Sequence, residues 1–161
     1  MKNLLIILYI IIFATNIVFA QNDYVLKVGI SKIDNIPKEF FGTWSVQATR
    51  VYTDDEKRFA ISTADLWNLR RSGNVLELRN PVTGAVAEIY LDEVKQKEIT
   101  FTHNETEGNL KLTDTVIMVV DGNTFTGTNE IELEILRQDA YGKYKKEYKK
   151  AKYKLKGAKV L

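Results

Sequence analysis

The chain has 161 residues, with 23 basic side chains, 21 acidic ones and no cysteine. The lack of cysteine excludes disulfides, thiol catalysis and cysteine-ligated metal sites. The length suits one domain with one hydrophobic core. A single long apolar run precedes that domain.

That apolar run predicts a signal peptide over residues 1–20. Lys2 supplies a positive start, residues 4–14 are uninterrupted apolar side chains, and Ala20 stands at a small-residue cleavage position. An uncleaved anchor is the weaker interpretation, because a spanning helix needs about 20 apolar residues. We expect cleavage after Ala20 and a secreted or periplasmic protein. The richness in lysine, asparagine and isoleucine indicates a bacterial origin.

Residues 21–161 then form a single predicted domain, which opens with a lead-in. Residues 25–30 predict a short strand or an arm lying on the domain. Residues 35–40 predict one turn of helix, because Pro37 stands early in the segment and Ile36 and Phe40 are apolar.

From residue 43 to residue 135, apolar side chains recur at every second position, as in strands with one buried face. Arg50 and Tyr52 share the phase of the apolar positions, which predicts a bulge or a polar cavity mouth. Gly127 also falls on the apolar face, where a bulge or a close backbone approach is expected. Asp121-Gly122 is a strong hairpin signal. The inward set includes Trp44, Val46, Ala48, Trp67, Leu69, Leu76, Leu78, Ala85, Ala87, Ile89, Leu91, Ile99, Phe101, His103, Ile131, Leu133 and Ile135.

The end of the chain is open to two interpretations. Tyrosines recur at helical spacing, which favours a helical or irregular segment over 139–149 followed by a closing strand. One long strand with a bulge is the competing interpretation. Either one gives seven to nine antiparallel strands joined by short turns. The predicted fold is all-β, an antiparallel up-and-down barrel, with a β-sandwich as the alternative.

The stretch Gly42-Thr43-Trp44, placed between a helix turn and the first strand, resembles the Gly-x-Trp motif of the lipocalin-like (calycin) family. The resemblance implies that Trp44 closes one end of a barrel and stacks against a basic side chain from the last barrel strand. Arg137 is the expected partner, since it is in phase with Ile135. The sequence departs from the family pattern at Thr113-Asp114-Thr115, which only half matches its Thr-Asp-Tyr motif, and in its lack of disulfides.

Charge is unevenly distributed along the chain. Residues 143–161 carry nine lysines and one glutamate, whereas residues 21–142 carry 13 basic and 20 acidic side chains. The acidic body and the basic end are either self-complementary, or the end faces an anionic polymer, membrane surface or partner protein. The candidate residues for an anionic surface are Lys150, Lys152, Lys154 and Lys156.

Motifs for catalysis are lacking in the sequence: His103 is the only histidine, and there is no nucleophile elbow, phosphate loop or metal-spaced cluster. We therefore expect a non-enzyme without cofactor or metal that binds a small apolar or amphipathic ligand such as a lipid. Nucleic acid is not an expected partner. Arg50, Tyr52 and Arg70 are candidates for a polar anchor that suits a carboxylate or phosphate headgroup. The candidate residues for the walls of a ligand cavity are Trp67, Phe101, Met118, Phe125 and Tyr153. The alternative is that these residues fill an ordinary core without a cavity.

Overall fold

The computed structural model describes residues 32–139 and 141–160, so the predicted signal peptide and the predicted strand over 25–30 lie outside the described residues. Two 3₁₀ turns open this part of the chain: Lys38–Phe40 falls within the helix turn predicted over 35–40, and Lys32–Asn35 comes before it. Eight strands follow: β1 (Gly42–Thr53), β2 (Ser62–Ser72), β3 (Val75–Arg79), β4 (Val86–Val94), β5 (Glu98–Glu107), β6 (Leu110–Asp121), β7 (Thr124–Gln138) and β8 (Tyr144–Lys159).

All eight strands belong to one antiparallel sheet. Each strand pairs with the next along the chain, and β1 also pairs with β8, so that the sheet closes in a ring. The prediction of an all-β chain with seven to nine antiparallel strands is therefore confirmed. In the part of the chain that the structure describes, no helix has the length and apolar character needed to cross a membrane.

Residues 144–159 form one long strand, so the interpretation of 139–149 as a helical segment is wrong from residue 144 onward. The single long strand was the correct alternative. Its pairing with β7 extends from Gln138 opposite Tyr144 to Thr124 opposite Ala158. This tertiary pairing outweighs the helical spacing of the tyrosines, because strand propensity depends mainly on cross-strand neighbours. The predicted bulge lies in β1, where the register against β8 shifts between Arg50 and Tyr52.

One end of the ring, which we call the packed end, is filled by aromatic side chains. Phe125 meets Trp44 edge to face, with ring centroids 5.4 Å apart, and stacks on Trp67 at 6.2 Å. Both arrangements are favourable geometries for aromatic pairs. The second 3₁₀ turn covers this end, because the Trp44 Nε1 donates to the Phe40 carbonyl at 3.0 Å.

The cation over Trp44 is Lys159, and the prediction that Arg137 points inward beside Trp44 is wrong. The Lys159 Nζ lies 4.9 Å from the indole centroid, and the same group donates to the Glu39 carbonyl. Arg137 lies at the opposite end of β7, exposed and 2.8 Å from a carboxylate oxygen of Glu147. The prediction placed Arg137 on the last strand of the barrel, whereas β8 follows that strand, pairs with β1 and ends beside Trp44.

Glycine is required at position 42 by the backbone conformation and at position 127 by the close approach of β6 and β7. Gly42 has a φ of 124°, a region that L side chains rarely adopt, and it lies against Lys159. Gly127 leaves no room for a side chain, since an added Cβ would lie 2.1 Å from the Ile117 carbonyl oxygen. The close backbone approach predicted at Gly127 is thus confirmed.

We expect Gly127→Ala to lower the free energy of unfolding by about 3 kcal/mol, because the β6 and β7 backbones must separate to admit the methyl group. Denaturant unfolding measures this loss. Gly108→Asn is the matched control: Gly108 has a φ of 57° and open space around it, and asparagine tolerates that backbone region. Equal stability of Gly127→Ala and the unmodified protein would contradict the predicted clash.

Candidate ligand-binding site

The predicted wall residues lie in a continuous core. Trp67, Phe101, Met118, Phe125 and Tyr153 all face the inside of the ring and are buried. Phe101, Met118 and Phe125 retain 2 % or less of their surface, which leaves no space beside them for a water-sized molecule. The structure therefore favours the filled-core interpretation for the packed end.

The predicted polar anchor is not assembled. Arg50 faces inward, but its Nη1 donates to the Phe59 carbonyl. Tyr52 follows the bulge in β1 and is 56 % exposed. Arg70 forms a salt bridge with Glu77 at 2.6 Å, and the Arg70 side chain is partly exposed. These three candidates do not form one cluster: Arg70 follows Leu69, which pairs with Gly42 at the start of β1, whereas Arg50 and Tyr52 lie towards the end of β1.

The four lysines of the predicted anionic surface fall into two pairs. The first pair forms cross-strand salt bridges with β7, Lys150 with Glu132 at 2.7 Å and Lys152 with Glu130 at 2.6 Å. The second pair, Lys154 and Lys156, lies opposite threonines of β7. The acidic body and the basic end are thus self-complementary at the first pair, and the row of lysines open to an anionic partner is shorter than predicted.

The other end of the ring, which we call the loop end, is built differently. The β1–β2 loop, residues 54–61, lies against the inner face there: the Tyr153 hydroxyl donates to the Ala60 carbonyl at 3.0 Å. Phe59 is buried with the core. The loop is also tied to β8, since the Asp54 carboxylate accepts from the Lys150 amide at 2.8 Å. Side chains that face inward beneath this loop are therefore shielded from solvent.

Sequence analysis missed two polar side chains that face inward at the loop end. Asp114 of β6 pairs with Ile131 of β7 and with His103 of β5, and Asn129 of β7 pairs with Tyr153 of β8. Asn129 is only 8 % exposed, and the Oδ1 atoms of both Asp114 and Asn129 are closed off from solvent without a hydrogen-bond donor among the described residues. Buried polar atoms are nearly always paired, so two orphan acceptors in one place are unusual.

A signal for both residues existed in the sequence. Asp114 shares the phase of Val116 and Met118, and Asn129 shares the phase of Gly127 and Ile131. A polar side chain on an otherwise apolar strand face is the pattern of a buried polar group.

Burial raises the pKa of Asp114 to about 6, and the nearby His103 and a hydrogen bond from Asn129 lower it in part. The His103 Nδ1 lies 3.0 Å from the Glu88 carbonyl oxygen, which can only accept, so Nδ1 carries the proton. The His103 Nε2 is 3.9 Å from Glu105. Asp114 therefore stays ionised at neutral pH while its surroundings disfavour the charge, a combination common at functional sites.

Apolar side chains and a gap in the sheet adjoin Asp114. Leu112 and Leu133 form a cross-strand pair, pack against the core and keep part of their surface exposed. The β4–β5 ladder ends at the pair of Tyr90 with Thr102. The start of β4, residues 86–89, and the part of β5 from His103 onward are therefore not paired with each other. The loop end thus combines orphan polar atoms, accessible apolar surface and a break in the ladder.

A second concave feature lies on the outside of the ring. This groove has a volume of about 380 Å³, and most of its lining is polar or charged. It spans β6 to β8 and reaches Tyr52, and it contains the two salt bridges of Lys150 and Lys152. Its charges are already matched within the protein, so it offers a ligand less unpaired chemistry than the loop end does.

Within residues 32–139 and 141–160, no three acidic or histidine side chains are grouped so as to hold a metal ion. No protein-family model matches the chain, and no curated protein or solved structure matches it either. The functional proposal therefore depends on the geometry of the loop end.

We expect Asp114→Asn to raise the free energy of unfolding by about 2 kcal/mol at pH 7.5 and to have little effect at pH 4. The pKa of Asp114 is higher in the folded protein than its ordinary 3.8, so folding loses stability as the pH rises from about 4 to about 6. Above that window the full cost of the buried charge applies, and asparagine removes it. Denaturant titration at both pH values measures the difference.

Glu56→Gln serves as the control, because that carboxylate is 83 % exposed and lies 3.9 Å from its nearest cation, Arg50. We expect it to change stability by less than about 0.5 kcal/mol at either pH. A gain for Asp114→Asn that is equal at both pH values would contradict the assignment of a buried, ionised carboxylate.

Proposed function

We propose that this protein is an exported, non-catalytic binding protein of the lipocalin-like barrel type, which holds a small amphipathic molecule at its loop end. The observation that carries the proposal is the partly exposed apolar surface of Leu112 and Leu133 on the inner face of the loop end, next to the buried polar side chains Asp114 and Asn129. Buried ionisable groups whose pKa is shifted by burial are common at functional sites, and Asp114 is such a group.

The order of the strands supports the barrel part of the proposal. Eight strands follow one another around the ring without a crossover, as in up-and-down barrels. A tryptophan after a 3₁₀ turn lies at one end beneath a basic side chain from the last strand, as the family resemblance implies, although that side chain is Lys159. Barrels of eight strands are either filled by their own side chains or hold one small ligand.

The apolar part of such a ligand would contact Leu112 and Leu133. Their side chains pack against the core on one side and are open on the other. Ile131 and Ala151 next to them are buried and therefore offer a ligand little contact area. A ligand with a short apolar portion and a polar group fits these surroundings better than a long-chain lipid does.

We expect Leu112→Gln to weaken the binding of a fluorescent hydrophobic probe by about tenfold, because a polar amide replaces the apolar contact. Ile117→Gln is the matched control: Ile117 lies on the same strand but faces outward and is 37 % exposed. Probe titration followed by fluorescence measures both. If a folded sample binds no probe, or if the two variants behave alike, the loop end is not a ligand site.

A second candidate function is docking on an anionic membrane surface through Lys154 and Lys156. Among the described residues, neither has a carboxylate within salt-bridge distance, in contrast to Lys150 and Lys152. Uncompensated lysines near an anionic bilayer each contribute about 1 kcal/mol of attraction. Two such residues give weak binding, so we rank this function second.

For this second function, we expect sedimentation with anionic vesicles to fall when Lys154→Gln and Lys156→Gln are combined, and to fall as salt is raised. The control combines Lys150→Gln with Glu132→Gln, which removes one ion pair without changing the net charge. Binding that ignores salt, or that the control impairs equally, would exclude the lysine edge as a docking surface.

A further inference from the structure

The ring narrows to four strands at the loop end. β1 leaves β8 after the pair of Thr53 with Ala151, and the ladder of β4 with β5 ends just before His103. The registers of β5 to β8 place His103 and Ala151 on the same row of the sheet. Of the strands described, only β5 to β8 continue beyond that row. They form an open sheet there, which we call the projecting sheet and which consists of residues 103–114, 131–139 and 141–151.

The two outer strands of the projecting sheet each have a free edge. In the described parts of the chain, β5 pairs only with β6 from residue 103 to residue 107, and β8 pairs only with β7 from residue 144 to residue 149. Asp54 contacts both the amide and the carbonyl of Lys150, so even-numbered residues of β8 turn their backbone groups away from β7. An edge of this kind is a template for pairing with another strand.

Backbone groups of β5 point to its free edge in the same way. The Val120 amide of β6 donates to the Lys97 carbonyl at 2.8 Å, so odd-numbered residues of β5 face β6. The register between the two strands is unbroken up to Glu107, so the amides and carbonyls of Asn104 and Thr106 face away from β6. Among the described strands, β4 has already left β5 at these positions, which leaves the four groups to solvent or to a partner.

The two free edges carry opposite charge. Glu105 and Glu107 lie on the β5 edge, and Lys143 and Lys145 lie around the start of β8; all four are exposed. Among the described residues, Glu107 and both lysines form no salt bridge, and Glu105 has only the His103 Nε2 within reach, at 3.9 Å. A charged edge ordinarily discourages pairing, yet each of these edges repels only a copy of itself, and the two attract each other.

From this arrangement we infer that the projecting sheet binds a second copy of this chain, with the β8 edge of one copy adding to the β5 edge of the next. The two strands are antiparallel for copies in the same orientation, because three antiparallel pairings separate β5 from β8. The contact is head to tail, so the assembly keeps one free edge of each kind. Its backbone bonds are those of strand addition to a sheet edge. The inference goes beyond the proposed ligand and does not depend on it.

One register matches the charges of both edges. A copy placed with its Lys145 opposite Glu105 also has its Lys143 opposite Glu107, because antiparallel partners run in opposite directions. That register sets even-numbered residues opposite one another, so their edge-facing amides and carbonyls form the new ladder. Moving the partner by two residues instead sets its Glu147 opposite Glu105, and like charges directly opposite destabilise a strand pair.

The first test is sedimentation velocity of the purified protein at concentrations up to about 1 mM, since a small interface gives weak association. We expect the mean mass to exceed that of one chain at about 0.15 M salt and to return to it at about 1 M salt, where charges are screened within about 3 Å. A protein that stays monomeric over the whole range at the lower salt would overturn the inference.

Charge reversal tests which edges meet. Glu105→Lys combined with Glu107→Lys makes both edges basic, and Lys143→Glu combined with Lys145→Glu makes both acidic. We expect each variant alone to self-associate at least about tenfold more weakly than the unmodified protein, and an equal mixture of the two to associate again, because each basic edge then meets an acidic one. Mixing that restores nothing would overturn the inference.

A proline on the β5 edge tests whether the backbone takes part. Thr106→Pro removes an amide that faces the free edge and makes no bond to β6, so the fold keeps its ladder. Thr106→Ala is the matched control, since it changes the same side chain and keeps the amide. We expect the proline variant to weaken association at least about tenfold and the alanine variant to leave it unchanged, with circular dichroism to check the fold. Equal association of the two variants would exclude strand addition at this edge.

Discussion

The pairing of β1 with β8 is the interaction on which the rest of the structure depends. It leaves the sheet without an open edge along most of its length, so the inner face becomes a closed interior rather than one side of a flat layer. The same pairing brings Lys159 over Trp44 at one end. At the other end it holds residues 54–61 against β8 through Asp54.

The closed interior is divided into two unlike halves. At the packed end, aromatic rings contact one another closely, and each buried ring contributes large apolar area to stability. At the loop end, a carboxylate and an amide replace apolar side chains at inward positions of β6 and β7. Because these two polar groups are buried without enough hydrogen-bond donors, they lower the free energy of unfolding. The aromatic packing at the other end compensates for this loss. A division of this kind lets a small domain carry a polar site without losing its core.

The uneven charge of the chain is largely used within the fold. Glutamates of β7 and lysines of β8 alternate on the outer face and meet across the ladder, as in the pairs of Glu134 with Lys146 and Glu132 with Lys150. Cross-strand pairs of opposite charge help to set the register of two neighbouring strands. Charge matching of this kind favours a strand for residues 144–150, where local spacing alone favours a helix.

The sequence by itself determined the strand class, the number of strands within a narrow range and the inward face of nearly every strand, because a period of two is a local property of the chain. It also located the bulge near Arg50 and the close approach at Gly127. Only the tertiary structure decided that residues 144–159 close the ring, that Lys159 rather than Arg137 meets Trp44, and that Asp114 and Asn129 lie together. Those outcomes depend on which distant strands become neighbours, and the residue pattern within one strand does not specify the strands with which it pairs.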